Sequence, residues 1–244
     1  TVDKEIINYL MHVGLMDIEQ LGFIFDLDGV IVDTARHHYL AWKALAAKFG
    51  FDLTPEFNER LKGVDRMNSL QIILRAASIQ MNEEDKINLA TEKNVYYLKS
   101  IEHLNQTDIL PGVLDFILET KNLNIPIALG SASKNALHIL EKLQLLDYFT
   151  AIVDGNQVKE SKPDPEVFLL GSELISIQPN HCIVFEDSVK GIQAAQRAHM
   201  HTVGIGSLKD IGLADLVIPD FLSTKPMDIV QWFNLNKQLT NTSF

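Results

Sequence analysis

Asp26 and Asp28 stand two residues apart in FIFDLDGVIVDT (23–34), directly after an unbroken apolar run, and Gly29 behind them permits a tight backbone. Further on, Ser131 closes IPIALGS, Lys162 precedes Pro163 in a loop, and Glu186 with Asp187 ends HCIVFED. Carboxylates gathered at one place repel one another, so a hard cation is their simplest partner; oxygen donors point to Mg²⁺ held by Asp26, Asp28, Glu186 and Asp187. Beside such a cation and a lysine, an ionised aspartate can attack phosphorus, and an aspartyl-phosphate splits one difficult displacement into two. In this reading Asp26 is the nucleophile. Asp28 protonates the departing oxygen and later deprotonates the incoming one. Ser131, Ala132 and Ser133 lie just before a helical pattern, where free backbone N–H groups form an anion site.

These residues meet only if the chain delivers them to one crevice. LGFIFD (21–26) is a short continuous apolar run of the kind that is buried on both faces of a parallel sheet, and similar runs recur at 125–131, 151–154, 181–187, 201–206 and 215–219. Helical patterns lie between them. One spans 134–145 with Leu137, Leu140 and Leu143; another opens with Asp164 as cap and Pro165 in its first turn. The alternation reads as an α/β fold, a doubly wound parallel sheet in which ligands bind beyond the carboxyl ends of the strands. Residues 34–103 break the rhythm with amphipathic helices and no strand, as an inserted all-α cap would. In the first, Ala35, His38, Tyr39, Trp42, Leu45, Ala46 and Phe49 share a face, and Gly50 ends it; a later one starts at Asn82 with Asp85 and carries Ala90, Asn94, Tyr97 and Ile101 on one stripe. The expected core is 19–33 with 104–235. Residues 1–18 form an extension of uncertain role, and the polar segment that runs from Asn234 through the 236–244 tail is expected to fray.

Composition removes several classes of function. A net charge of −11 with no Lys/Arg cluster disfavours nucleic acid and acidic lipid alike. No span approaches the ~18 apolar residues of a membrane helix, and the N-terminal stretch lacks the basic region of a secretory signal. The single cysteine, Cys182, excludes an intramolecular disulfide, and Ile183, Val184 and Phe185 beside it indicate a buried thiol. A cytoplasmic monomer acting on a small molecule is the expectation.

Asp26-Leu27-Asp28-Gly29, Ser131, Lys162 and Glu186-Asp187, in that order over nearly the whole chain, resemble the motifs of the haloacid dehalogenase superfamily. The second aspartate is absent from the dehalogenases themselves, so Asp28 points to phosphate chemistry. In the insertion, HHYLAWKAL and LKGVDRMNSLQIIL are similar to the cap of β-phosphoglucomutases, as are EKNVYYL and, in the core, GSASKN. That resemblance implies an isomerase that interconverts β-glucose 1-phosphate and glucose 6-phosphate with Mg²⁺, through glucose 1,6-bisphosphate as intermediate and activator. It implies that Arg66 in the cap and Ser133, Lys134 and Asn135 in the core hold the phosphate that is not being transferred. Thr34 and His38, with Lys93 nearby, would couple cap closure to Asp28, and Trp42, Lys62, Gly63 and Ala132 complete the substrate-binding set. The sequence departs from the pattern in its N-terminal extension, in Gly130 before Ser131, and in Asp65 and Met67 beside Arg66.

Blander readings stand beside these. An isolated D-x-D is commonly a loop cap, though three further strand ends argue against that here. His38 shares a face with Tyr39 and Trp42 and reads equally as a packed core histidine. Arg66 has Asp65 and Glu59 as alternative ion-pair partners; Lys93 and Asn94 read also as exposed or capping groups; Thr34 reads as an N-cap, as does Ser188. Two further functions are open: a sugar-phosphate phosphatase on the same core, and a phosphate- or metal-binding module without turnover.

Overall fold

The computed structural model describes residues 20–241, with side chains through Lys237. Residues 1–18, the extension, and 242–244 lie outside the described residues. Six strands form one parallel sheet: β1 (Gly22–Phe25), β2 (Ile127–Gly130), β3 (Ala151–Val153), β4 (Cys182–Glu186), β5 (His201–Ile205) and β6 (Leu216–Ile218), in the order β3-β2-β1-β4-β5-β6. Each predicted apolar run forms its strand. The runs are continuous because both faces are covered: Phe23, Phe25, Ile183 and Phe185 enter one core cluster, whereas Ile24, Val184 and Cys182 enter the other. Phe25 stacks on Phe185 with centroids 4.6 Å apart, and Phe116 meets Phe185 edge-on at 5.4 Å. Truncating such a ring costs about 3–5 kcal/mol, so this aromatic nest is what holds the centre of the sheet rigid.

Register then positions the chemistry. Phe25 pairs with Leu129 on one side and Phe185 on the other, so Asp26, Gly130 and Glu186 leave the sheet at one level. β1 lies between β2 and β4, where the winding direction reverses, and the crevice of an open α/β sheet forms at that point.

The insertion between β1 and β2 consists of helices around their own core. Its main helices are α1 (Ala35–Ala47), α2 (Arg66–Ala76) and α3 (Glu83–Ser100), and Trp42, Leu45, Leu53, Leu61, Leu70, Ile73 and Leu74 close the cluster between them. Asp65 caps α2 by accepting from Met67 N at 2.9 Å and Asn68 N at 3.1 Å. Asn82 caps α3 through Asp85 N at 2.8 Å, as its spacing predicts. On the sheet lie α4 (Val113–Asn122), α5 (Ala136–Lys142), α6 (Glu166–Leu174), α7 (Val189–Arg197) and α8 (Pro226–Asn241).

Four local expectations change. Thr34 occupies the N-cap position of α1, but its backbone is already αR (φ −94°, ψ −3°), so its hydroxyl cannot reach the first turn. Pro165 is itself the N-cap residue of α6, and Asp164 Oδ1 accepts from Glu166 N at 2.9 Å from one position further out. The buried stripe of α5 is Ala136, Ile139, Leu140 and Leu143, while Leu137 is exposed; the i, i+3, i+4, i+7 pattern overrides the simple threefold one. The segment from Asn234 to Asn241, expected to fray, continues α8, which is anchored upstream by Ile229, Val230 and Phe233 in the main core.

Candidate active site

Asp26 follows β1 and is 6% exposed; Lys162 reaches it from a loop 136 residues away in sequence. Lys162 Nζ donates to Asp26 Oδ1 at 2.8 Å, to Glu186 Oε1 at 3.0 Å and to Gly130 O at 3.0 Å, so all three of its protons are engaged. Burial alone would lower the lysine's pKa, but Asp26 and Glu186 overcome that and hold it above its ordinary value. The cation therefore ties together the ends of three strands.

One lysine does not neutralise the acids around it. Oxygens of Asp26, Glu186 and Asp187 lie within 4.8 Å of one another. Burial pushes Asp26 up to about 8, with Lys162 opposing and Glu186 and Asp28 reinforcing. Asp187 is raised well above the carboxylate range by burial and by Glu186 and Asp26. Glu186 is fully enclosed: Ser188 N and Ser188 Oγ both donate to its Oε2 at 2.7 Å, and Ser188 Oγ also caps α7 by accepting from Gly191 N at 3.1 Å. A Cβ at Gly191 would collide with the Glu186 carboxylate, and one at Gly29 (φ +80°) with Asp187, so both acids need glycine beside them. Clustered hard oxygens with unneutralised charge fit Mg²⁺. The structure does not include the Asp28 carboxylate in this group.

Asp28 instead faces the insertion. Its Oδ2 lies 3.7 Å from His38 Nε2, and its buried Oδ1 has no hydrogen-bond partner. Burial raises Asp28 to about 7, against the pull of Lys93 and Lys162. His38 satisfies both readings of the sequence: its ring stacks on Tyr97 at 3.9 Å, and its edge points at Asp28. Lys93 is neither exposed nor a cap. It is 2% exposed, its Nζ is 2.7 Å from His38 Nδ1, and it sits over the rings of Trp42 and Tyr97 at 4.8 and 4.9 Å. Burial, with Arg66 adding to it, lowers Lys93 to about 7. Thr34 Oγ1 and Tyr97 Oη are buried close by without partners.

Arg66 lies at the start of α2 and lines the same pocket as Asp26 and Asp28. Neither suspected acid engages it, because Asp65 is occupied as a cap and Glu59 pairs with Lys62 at 3.0 Å. Across the pocket, the loop after β2 is laced internally: Ser133 N donates to Ser131 Oγ at 3.1 Å and Asn135 N to Ser133 Oγ at 3.2 Å. Of the N–H groups expected to face an anion, that of Ser133 is thus taken up within the loop and that of Ser131 goes to Val153 O at 3.0 Å, while Ser133, Lys134 and Asn135 line the pocket. Lys62, Gly63, Trp42 and Ala132 line it too, and Gly63 (φ +70°) turns the chain toward Ser188. Thr34 alone of the expected substrate-binding set does not line it. Tyr97 is the site residue absent from the expected set; its signals in the sequence are its place on the helix stripe and within EKNVYYL.

Residues 23–205 match the family model for haloacid dehalogenase-like hydrolases. The chain is 41% identical over 197 residues to a β-phosphoglucomutase of Bacillus subtilis, covering 80% of this chain and 87% of that protein. It is 32% identical over 206 residues to a phosphorylated-carbohydrates phosphatase of Thermotoga maritima, covering 81% and 94%. Among solved structures, the β-phosphoglucomutase of Clostridium difficile superposes with a TM-score of 0.86 at 41% identity, over 89% of this chain and 98% of that one.

Proposed function

From the premise that this chain belongs to the haloacid dehalogenase-like hydrolases, we propose that it is a Mg²⁺-dependent phosphohexomutase interconverting β-glucose 1-phosphate and glucose 6-phosphate. The observation that carries the reading is that Arg66, Ser133, Lys134 and Asn135, groups able to bind a second phosphate, line the same pocket as Asp26. Hydrolysis of a monophosphate requires no such set. A mutase must hold one phosphate while it transfers the other. The 41% identity to two β-phosphoglucomutases supports the same substrate class.

Asp26, Glu186 and Asp187 would hold the cation, which when bound neutralises the acids and the incoming phosphate. Asp26 then attacks phosphorus through the carboxylate oxygen that Lys162 does not occupy, giving the aspartyl-phosphate. Ser131 and Lys162 flank the transferring group. Asp28 gives its proton to the departing sugar oxygen and takes one from the hydroxyl that attacks next. Held at about 7 by burial, it is poised to do both near neutrality. Glucose 1,6-bisphosphate is the intermediate that turns over between the two half-reactions. Its distal phosphate rests on Arg66, Ser133, Lys134 and Asn135 in each orientation. The chain acts on these small molecules as a cytoplasmic monomer, its charge of −11 disfavouring polyanionic partners.

Incubation with β-glucose 1-phosphate, Mg²⁺ and a trace of glucose 1,6-bisphosphate tests the proposal. Glucose 6-phosphate should exceed free phosphate by a wide margin. Free phosphate as the main product would establish the alternative, a sugar-phosphate phosphatase. That alternative is supported by 32% identity both to the Thermotoga phosphatase and to a fructose-1-phosphate phosphatase of Escherichia coli.

A further inference from the structure

Asn135 Nδ2 donates to Asn94 Oδ1 at 2.9 Å, a bond that crosses from the loop after β2 to helix α3 of the insertion. Both residues are half-buried. Asn94 follows Lys93 directly, so one turn of α3 addresses both ends of the pocket. Lys93 reaches His38 and, through it, Asp28; Asn94 reaches the loop that carries Ser133 and Lys134. Of the other links between insertion and core, Asn68 Nδ2 to Ser161 Oγ is long at 3.4 Å and exposed, and Lys190 Nζ and Lys142 Nζ meet backbone carbonyls, Arg60 O and Glu102 O, at the surface.

A primary amide has two ends of opposite sign. Its nitrogen carries two N–H groups, and its oxygen only accepts. With one N–H given to Asn94, Asn135 keeps a second for a ligand, and its nitrogen end is the one held at the insertion side of the pocket. Were the amide rotated by half a turn, a carbonyl oxygen would stand there and repel an anion. In this arrangement Asn94 presents its oxygen to Asn135, and that oxygen holds the Asn135 nitrogen on the insertion side.

We propose that Asn94 is a positioning residue that holds Asn135 with an N–H toward the distal phosphate. The core's contribution to that grip is then made only while the insertion is docked on the sheet. The inference rests on the reading of Arg66, Ser133, Lys134 and Asn135 as a second phosphate site. It adds a residue that touches no substrate and links that site to the helix bearing Lys93.

A double-mutant cycle tests it in an Asp26→Asn background, where no turnover occurs, with the affinity for glucose 1,6-bisphosphate measured by calorimetry. Asn94→Ala should weaken binding about tenfold, of the order of one hydrogen bond to a charged group. Asn135→Ala should do the same or more. The combined variant should be no weaker than Asn135→Ala alone, because Asn94 acts only through Asn135. Affinity for inorganic phosphate, which has no distal group, should move far less than affinity for the bisphosphate. Independent, multiplying losses would overturn the proposal, as would an Asn94→Ala variant that binds like its parent or a parent that does not bind the bisphosphate. Product analysis on the unmutated chain is a separate measurement. Free phosphate there with a coupled cycle here would remove the mutase and leave the Asn94 inference standing.

Discussion

Lys93 Nζ lies 2.7 Å from His38 Nδ1, and this contact decides which nitrogen of the ring can serve Asp28. While Lys93 carries its third proton it can only donate, so Nδ1 must accept and the ring proton must sit on Nε2. That nitrogen faces Asp28 Oδ2 at 3.7 Å. Burial, with the charges of Lys93 and Arg66 behind it, lowers the His38 pKa and keeps the ring neutral. The ring therefore turns an N–H toward Asp28 across 3.7 Å, a gap too long for a hydrogen bond, and is held flat against Tyr97.

Removing Lys93 should release the tautomer. Lys93→Met should lower kcat by more than ~10-fold, part of the ~10²–10⁴ that general acid–base catalysis supplies, with a smaller change in KM. His38→Ala should cost as much, and the double variant little more than either, since the two act in series. Steady-state kinetics on β-glucose 1-phosphate distinguish this from two additive losses, which would show Lys93 and His38 acting separately.

Asp26→Asn should abolish turnover, because an amide is neither nucleophile nor anionic ligand. Intact-mass measurement after incubation with acetyl phosphate should show the phosphoryl adduct on the parent and none on this variant. Asp28→Asn should still take up Mg²⁺ but react about 10²–10⁴-fold more slowly. A parent-like rate in the latter variant would move the acid–base role elsewhere.

The strand ends were legible because a strand buried on both faces must be apolar throughout, so an abrupt Asp or Glu marks where the sheet opens. Asp26, Glu186 and Asp187 could be read that way. Lys93 could not. It stands in EEDKINLATEKNVYYLKS, where a lysine looks solvated, and only contacts with Trp42 and His38, more than 50 residues away, bury it. Arg66 was readable as a phosphate ligand or a surface pair, and the choice depended on what occupied Asp65 and Glu59. The missing cap at Thr34 depended on a backbone angle that its residue type does not announce.

The acidic cluster should make the metal-free protein less stable as pH rises. Asp26 (about 8), Asp28 (about 7) and Asp187 all have folded pKa values above the unfolded one, so their contribution is full below pH ~4 and is lost as pH rises through the folded values. His38 and His201, both lowered on folding, work in the opposite sense below their unfolded values, and Lys93, lowered to about 7, does so only from about pH 7 upward, so between pH 5 and 7 the three acids set the sign. Between pH 5 and 7 the Tm in EDTA should fall by at least ~5 °C. Saturating Mg²⁺ should remove most of that slope, and Asp187→Ala should raise the Mg²⁺ needed to do so. Differential scanning calorimetry reads all three; a Tm that rises with pH in EDTA would contradict the charge arrangement.

Substitution of Arg66 should separate the mutase reading from the phosphatase reading. Its guanidinium makes no ion pair among the described residues and lines the pocket opposite Ser133 and Lys134. A planar fork of donors grips a phosphate at two oxygens, whereas a lysine offers a single point of charge. Binding energy from a phosphate remote from the reaction can be used to favour closure of the insertion, which keeps water from the aspartyl-phosphate. Arg66→Lys should therefore be costly although the charge is retained. Arg66→Ala should depress formation of glucose 6-phosphate at least ~10²-fold, consistent with losing a charge-assisted bidentate contact of roughly 3 kcal/mol, and should depress hydrolysis of acetyl phosphate far less. Acetyl phosphate has no second phosphate to hold, so its hydrolysis reports the core chemistry alone. Equal losses on both substrates would show that Arg66 serves the transferring phosphate or the fold, and the phosphatase reading would then account better for this pocket.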